Sequence, residues 1–74
     1  MSPASQLREL LDRIVSAMIA GHITFDEGRR AFEARFIEQA LHKCDGHLTN
    51  TAHRLGVHRN TLTRKMAEYR LRAK

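Results

Sequence analysis

Apolar residues recur at intervals of three and four along the first half of the chain. The first such stripe consists of Leu7, Leu10, Leu11, Ile14, Val15, Met18 and Ile19. Because an α-helix repeats every 3.6 residues, these side chains fall on one helix face, whereas a half-buried strand would alternate every second residue. Pro3 is tolerated in a first helical turn, and Gly21 marks the end of this predicted helix.

A capping pattern predicts where a second helix begins. Thr24 and Glu27 have the spacing of a capping box, in which each side chain satisfies a free N–H group at the helix start. The periodicity then continues to Asp45, which gives about 20 residues or ~30 Å of helix. The apolar positions of this helix are Phe25, Phe32, Phe36, Ile37, Ala40, Leu41 and Cys44. We expect the three phenylalanines to lie in the core. Gly28 weakens this helix by about 1 kcal/mol, and Gly46 is predicted to be its left-handed C-terminal cap.

The second half of the chain predicts a helix-turn-helix pair. Thr49 is the predicted N-cap of a short helix over residues 50–55, and a last helix follows over residues 59–69. Ala52 allows the two helices to cross closely, and Gly56 supplies the positive φ of the tight turn. The buried seam between them is predicted to consist of Leu55, Val57, Leu62 and Met66, with Tyr69 closing its C-terminal end. The fold class is therefore all-α with four helices.

Basic residues are concentrated at the C-terminal end of the chain. Residues 46–74 carry seven Lys and Arg residues against the single acid Glu68, and they end in a basic tail of Arg70, Arg72 and Lys74. The predicted seam leaves one face of the last helix for solvent, which carries His58, Arg59, Asn60, Thr61, Thr63 and Arg64, with Lys65 at its flank. A recognition helix places such residues in the major groove, so double-stranded DNA is the predicted partner.

Each residue type on this face suits a particular DNA contact. Arg59 is the predicted base reader, because a guanidinium donates two hydrogen bonds to guanine, and an Asn can pair with adenine. Phosphates suit the hydroxyls of Thr49 and Thr61 and the positive charges of Arg64 and Lys65. His58 titrates close to neutrality, which makes a pH-dependent affinity a further expectation.

The run CDGHLTNTAHRLGVHRNTLTRKM at residues 44–66 resembles the DNA-binding segment of the Fis family. The resemblance is specific over residues 32–71 and extends over the preceding helix. This family includes a nucleoid protein and the C-terminal domains of nitrogen-regulatory enhancer-binding activators. The resemblance implies an intertwined homodimer with a four-helix core and one helix-turn-helix at each end, and DNA contacts at Thr49, His58, Arg59, Thr61, Arg64 and Lys65.

The resemblance differs between the two branches of the family. The nucleoid branch has Asn at position 58 and Gly at position 60, whereas the HRNT of residues 58–61 matches the activator branch. The preferred bases therefore stay open, as does the choice between a stand-alone regulator, which the initial Met1 favours, and a detached activator output domain. No segment before Leu7 is long enough to match the recombinase-binding arm of the nucleoid branch.

Physical chemistry independently favours a second copy of the chain. With 74 residues and one cysteine, the chain has a small core and no intrachain disulfide to stabilise it. We predict one domain over residues 1–74, with residues 1–45 forming the dimer and residues 46–74 the DNA-binding unit. The predicted interface residues are Leu7, Leu11, Ile14, Met18, Phe32 and Phe36. A dimer predicts a partly palindromic DNA site, and recognition helices closer together than one DNA turn predict a bend costing about 1–6 kcal/mol.

Other functions fit the sequence less well. His42, Cys44 and His47 lack the usual spacing of a zinc site, so we expect surface histidines beside a small buried Cys44 and no metal or cofactor. No enzyme motif is recognisable. The chain also lacks an apolar stretch of the ~20 residues that a membrane span requires. The single cysteine favours a reducing compartment such as the bacterial cytoplasm, and DNA binding places the protein at the nucleoid.

Two alternatives remain open. The chain is either a DNA-binding protein or a helical interaction module whose basic last helix docks on an acidic protein. RNA polymerase or another regulator as a partner is not determined. Arg29 and Arg30 are predicted to pair with Asp26, Glu27 or Glu33 on their own helix rather than to contact DNA.

Overall fold

The computed structural model describes residues 2–73, which form four α-helices and no β-strand. Helix α1 spans Pro3–Ala20, α2 spans Phe25–Lys43, α3 spans Leu48–Leu55 and α4 spans Arg59–Glu68. The all-α prediction with four helices is confirmed. The predicted basic tail ends at Lys74, which lies outside the described residues.

The first two helices begin with the side-chain caps that their sequences favour. At α1 the Ser5 N–H donates to Ser2 Oγ over 3.3 Å, and Pro3 occupies the first turn. At α2 the Glu27 N–H donates to Thr24 Oγ1 and the Thr24 N–H donates to Glu27 Oε1, each over 3.1 Å. The Thr24 hydroxyl also donates to Glu27 Oε1 over 2.8 Å, and this hydrogen bond, followed by the one from the Thr24 N–H, lowers the pKa of Glu27. The predicted capping box is therefore present.

All four helices end in a Schellman motif, closed by a residue in the left-handed conformation. The left-handed residues are His22, Asp45, Gly56 and Arg70, with φ values of 59°, 53°, 73° and 55°. After α2, the Asp45 N–H donates to His42 O over 3.2 Å and the Gly46 N–H donates to Leu41 O over 2.8 Å. The prediction that α2 continues to Asp45 is therefore wrong. Asp tolerates positive φ, so the turn begins one residue before Gly46, which also has positive φ.

Helix α3 begins earlier than the sequence predicted, and Thr49 is not its N-cap. The N-cap is His47, whose side chain makes no capping hydrogen bond. Thr51 explains the earlier start, because its N–H and its Oγ1 both donate to His47 O, over 2.9 and 2.8 Å. Leu48 packs against the core and so belongs to the helix. Thr49 consequently lies within the first turn.

The core lies between the second half of α2 and the helix-turn-helix. Leu62 and Met66 are buried as predicted, and Leu55 is half-buried at the edge. Val57, the other predicted seam residue, is 38% exposed and lines an apolar groove between α2 and the helix-turn-helix. The buried cluster consists of Ile37, Leu41, Ala52, Leu62 and Met66, with Leu48, Leu55, Tyr69 and Leu71 packed around it.

The three phenylalanines and the stripe of α1 lie outside this core. Phe25, Phe32 and Phe36 are 92%, 49% and 53% exposed, so the prediction that they form core is wrong for the single chain. Phe32 and Phe36 contact each other edge to face, with ring centroids 5.6 Å apart. Helix α1 has no buried residue, and its apolar stripe lines an open groove with Phe25 and Phe32 instead of burying them. The radius of gyration is 13.9 Å, against about 11 Å for a compact chain of this length.

Candidate nucleic-acid interface

The turn between α3 and α4 fixes which face of α4 is inward. Gly56 has φ 73°, and a Cβ at this position would meet no atom within 4 Å, so the backbone conformation rather than space requires glycine. The Val57 N–H donates to Ala52 O over 3.0 Å and closes the turn. Leu62 and Met66 then hold the inner face of α4 against the core.

The outer face of α4 presents unpaired cationic and amide side chains. Arg59, Asn60, Thr63 and Arg64 are exposed, and Thr61 is half-buried at the margin. Neither Arg59 nor Arg64 forms a salt bridge with any residue between 2 and 73. Both guanidinium groups therefore keep their charge and their N–H donors for an external partner.

His58 caps helix α4. The Asn60 N–H donates to His58 Nδ1 over 3.0 Å, and the His58 side chain remains exposed. Because Nδ1 accepts this hydrogen bond, the proton of the neutral ring is on Nε2, which is a free donor. Sequence reasoning missed the cap, because the residues that usually occupy this position are Ser, Thr, Asp and Asn.

Two threonines of the predicted site differ in the hydrogen-bonding groups that they leave free for a partner. The Thr63 hydroxyl donates to Arg59 O over 3.0 Å, so its proton is used within the helix. Thr49 is exposed in the first turn of α3, whose start has no side-chain cap. The first N–H groups of α3 therefore need an external acceptor, and a DNA phosphate is suited to that position.

Lys65 faces α2 instead of lying with the other predicted contacts. Its Nζ is 2.8 Å from Glu33 Oε1, and the Tyr69 hydroxyl donates to the same oxygen over 2.8 Å. Arg29 Nη1 donates to Glu33 Oε2 over 2.9 Å. The pKa of Glu33 is lowered to about 2, mainly by the hydrogen bond from Lys65 and next by the one from Tyr69. The pKa of Tyr69 is raised, mainly by burial and next by its hydrogen bond to Glu33.

Arg30 adds a second link between α2 and α4. Its Nη1 is 2.6 Å from Glu68 Oε2, and its Cζ lies 5.3 Å from the centroid of the Tyr69 ring. The expectation that Arg30 pairs with an acid of its own helix is wrong, because the acid that it reaches lies on α4. Arg29 does pair locally, with Asp26 and Glu33. We call the group that joins the two helices the α2–α4 clamp; it consists of Arg30, Glu33, Lys65, Glu68 and Tyr69.

The structure also describes the histidine and cysteine group considered as a metal site. Across residues 2–73, no three His, Cys, Asp or Glu side chains are placed to hold a metal ion. His42 and His47 are exposed, and Cys44 is half-buried rather than buried, because it caps α2 at the edge of the core. In the described part of the chain, no helix is long and apolar enough to cross a bilayer.

Comparison of the sequence with protein families identifies a family of bacterial regulators. A family model described as "Bacterial regulatory protein, Fis family" matches residues 28–69, which is more than half of the chain. The match begins in the first turn of α2 and includes the whole helix-turn-helix. Comparisons with curated proteins and with solved structures found no match.

Proposed function

The chain belongs to the Fis family of bacterial regulatory proteins, and from that premise we propose that it binds double-stranded DNA as a homodimer. The family's helix-turn-helix is a DNA-binding regulatory domain and not an enzyme. One observation carries the proposal: Arg59 at the first turn of α4 and Arg64 on the side away from the core are both exposed without an ion-pair partner among the described residues, while Leu62 and Met66 hold the helix on the core.

In the proposed complex, the start of α4 lies in the major groove. Arg59 donates to a guanine and Asn60 pairs with an adenine, since both side chains project from the exposed face. Phosphates are contacted by Arg64, by Thr49 with the free N–H groups of α3, and by Nε2 of His58. Thr61 and Thr63 lie beside these contacts, whereas Lys65, the remaining predicted contact, is held by Glu33 of α2.

The proposed dimer is supported by the apolar surface that the single chain leaves bare. The predicted interface residues Leu7, Leu11, Ile14, Phe32 and Phe36 are exposed. Met18, which was also predicted there, is half-buried. A group of large apolar side chains that stay exposed is typical of an interface. Two copies of α4 would read two half-sites, with bending of the DNA where they lie closer than one helical turn.

We propose a regulatory or architectural role on the bacterial chromosome for this dimer. Either a nucleoid-associated protein that bends DNA or a regulator of transcription would use the same interface. Both roles require a soluble protein in the compartment that holds the chromosome, so the bacterial cytoplasm is its proposed location.

Replacing single arginines tests the DNA interface. The parent protein first selects a duplex from random sequences, and fluorescence anisotropy then measures affinity at several salt concentrations. Arg59→Ala should lose about 1–3 kcal/mol of binding free energy and relax specificity at one base pair, whereas Arg64→Ala should weaken all duplexes similarly. Arg13→Ala removes an equal charge from the polar face of α1 and is the matched control.

The same experiment distinguishes the rival function. If Arg59→Ala and Arg64→Ala both bind duplex DNA as tightly as the parent, the outer face of α4 is not a DNA interface. The basic helix would then serve as a docking surface for an acidic protein.

A further inference from the structure

Helix α4 packs on α3 through the turn at Gly56, and it contacts α2 at two further levels. Near its middle, Leu62 and Met66 pack against Ile37 and Leu41 of α2. At its C-terminal end, the α2–α4 clamp joins it to an earlier part of α2 through polar side chains. A helix of 10 residues is about 15 Å long, so these two contacts, together with the packing on α3, fix its direction relative to α2.

Glu33 is the centre of the clamp. Both of its carboxylate oxygens are occupied, Oε1 by Lys65 and Tyr69 and Oε2 by Arg29. The side chains of Glu33 and Lys65 are 25% and 30% exposed, so water screens this pair less than it screens a fully exposed one. No other acid between residues 2 and 73 accepts three side-chain donors from both helices.

The position of Glu33 on α2 connects it to the proposed dimer interface. It lies between Phe32 and Phe36, whose exposed rings are predicted to meet the second copy. A change in how Glu33 holds α4 therefore changes the position of the recognition helix relative to the interface. In a dimer this also changes the distance between the two copies of Arg59.

We propose that Glu33 is a positioning residue for DNA recognition, which holds α4 through Lys65 and Tyr69 and so sets the half-site spacing that the dimer accepts. This inference rests on the proposed DNA-binding function. It assigns Lys65 to the clamp rather than to a phosphate, in contrast to its neighbour Arg64. Glu33 itself touches no DNA in this arrangement.

The test measures affinity for a set of duplexes whose half-site separation differs by single base pairs around the preferred value. Glu33→Gln keeps the side-chain shape and removes the charge that holds Lys65. We expect its preference for the best spacing over its neighbours to fall about fivefold. Glu38→Gln is the matched control, since this exposed acid on the same helix pairs only with Arg35. It should keep the parent's preference.

The salt dependence of binding tests the assignment of Lys65. Lys65→Met should reduce the spacing preference as Glu33→Gln does, leave the slope of log affinity against log salt unchanged, and add nothing to the effect of Glu33→Gln in the double variant. Arg64→Met should lower the slope by about 0.9, as expected for one lost phosphate contact, and keep the spacing preference. Circular dichroism and the mass in solution verify that each variant folds and assembles.

Three results would overturn the proposal. If Glu33→Gln lowers the affinity for duplexes of every half-site spacing equally, Glu33 has a role in stability alone. If Lys65→Met lowers the slope of log affinity against log salt as much as Arg64→Met does, Lys65 contacts a phosphate. A parent protein that binds no duplex at any spacing would refute the proposed function itself, and the role of Glu33 with it.

Discussion

His58 combines two tasks that different residues usually perform. Its Nδ1 accepts the Asn60 N–H at the start of α4, and its Nε2 remains a donor next to Arg59. A neutral ring does both at once, because the nitrogen without a proton accepts and the other one donates.

Substitution of His58 tests its capping role. His58→Ala should lower the free energy of unfolding by about 1 kcal/mol, because an N–H at the start of α4 loses its acceptor. His58→Asn should retain most of the parent's stability, since Asn is a good N-cap. Urea denaturation at neutral pH and a fixed protein concentration measures both. Equal losses in the two variants would show that the imidazole stabilises α4 by another contact.

The residues with positive φ show what local sequence can predict about helix ends and what it cannot. Gly56 was predicted at positive φ and adopts it, because glycine is the residue that most readily takes this conformation. His22, Asp45 and Arg70 adopt it as well, and no sequence signal predicted them. Such residues accept positive φ when the hydrogen bonds of the helix end compensate for the strain, which depends on where the helix stops.

At the scale of helices, α2 contains both predictable and unpredictable structure. Its start follows from the capping box of Thr24 and Glu27, which needs only a separation of three residues. The partners of Glu33 and Arg30 on α4 lie 32 to 38 residues away, so nothing in the local pattern identifies them. The face of α4 was predictable because the buried seam fixes its rotation, and Arg59 and Arg64 lie outside as expected.

Gly28 gives a prediction about the contact between α1 and α2. A Cβ at this position would lie 3.1 Å from the Met18 sulfur, a flexible side-chain atom that can move by a few tenths of an ångström. Gly28→Ala should therefore raise the free energy of unfolding by about 0.5–1 kcal/mol, through its higher helix propensity. Thermal unfolding monitored by circular dichroism measures the change. A loss of stability instead would mean that Met18 is held in place by further packing.

The pKa of Glu33 gives the clamp a pH dependence of known sign. The folded-state pKa is about 2, below the ordinary value of 4.5, so the charged carboxylate stabilises the fold. This contribution is complete above pH 4.5 and is lost as the pH falls through 2. We expect Glu33→Gln to lower the free energy of unfolding by about 1 kcal/mol at pH 7, because the site stays partly hydrated.

Urea denaturation of the parent and of Glu33→Gln across this pH range measures the effect. The difference between the two proteins should shrink below pH 4.5 and nearly vanish near pH 2. A difference that stays constant with pH would contradict an electrostatic origin.

The whole molecule presents an apolar surface that its own residues do not cover. The sequence correctly placed Leu11, Ile14 and Phe32 on apolar faces, but periodicity cannot say which chain buries them. This is why Phe32 and Phe36 were predicted in the core and yet are exposed in one chain. An intertwined dimer would reconcile the two observations, since the cover would come from α1 and α2 of the second copy.

A charge placed on the stripe of α1 tests this explanation. Ile14 is exposed in the single chain and belongs to the predicted interface. The parent should have twice the monomer mass of 8.5 kDa in solution at micromolar concentration. Ile14→Asp should shift it to the monomer, because an interface that buries an unpaired carboxylate loses several kcal/mol. Arg13→Asp puts the same residue on the polar face of α1 and should leave the mass unchanged.

Loss of the dimer should also change how DNA is bound. A monomeric Ile14→Asp has one copy of α4, so it should bind a palindromic duplex no more tightly than a duplex with a single half-site. The parent should prefer the palindrome strongly, because its second α4 binds at the high effective concentration set by the first. A parent that sediments as a monomer, or an Ile14→Asp variant that keeps the dimer mass, would exclude the stripe of α1 as the interface. The exposed phenylalanines of α2 would then need a different partner.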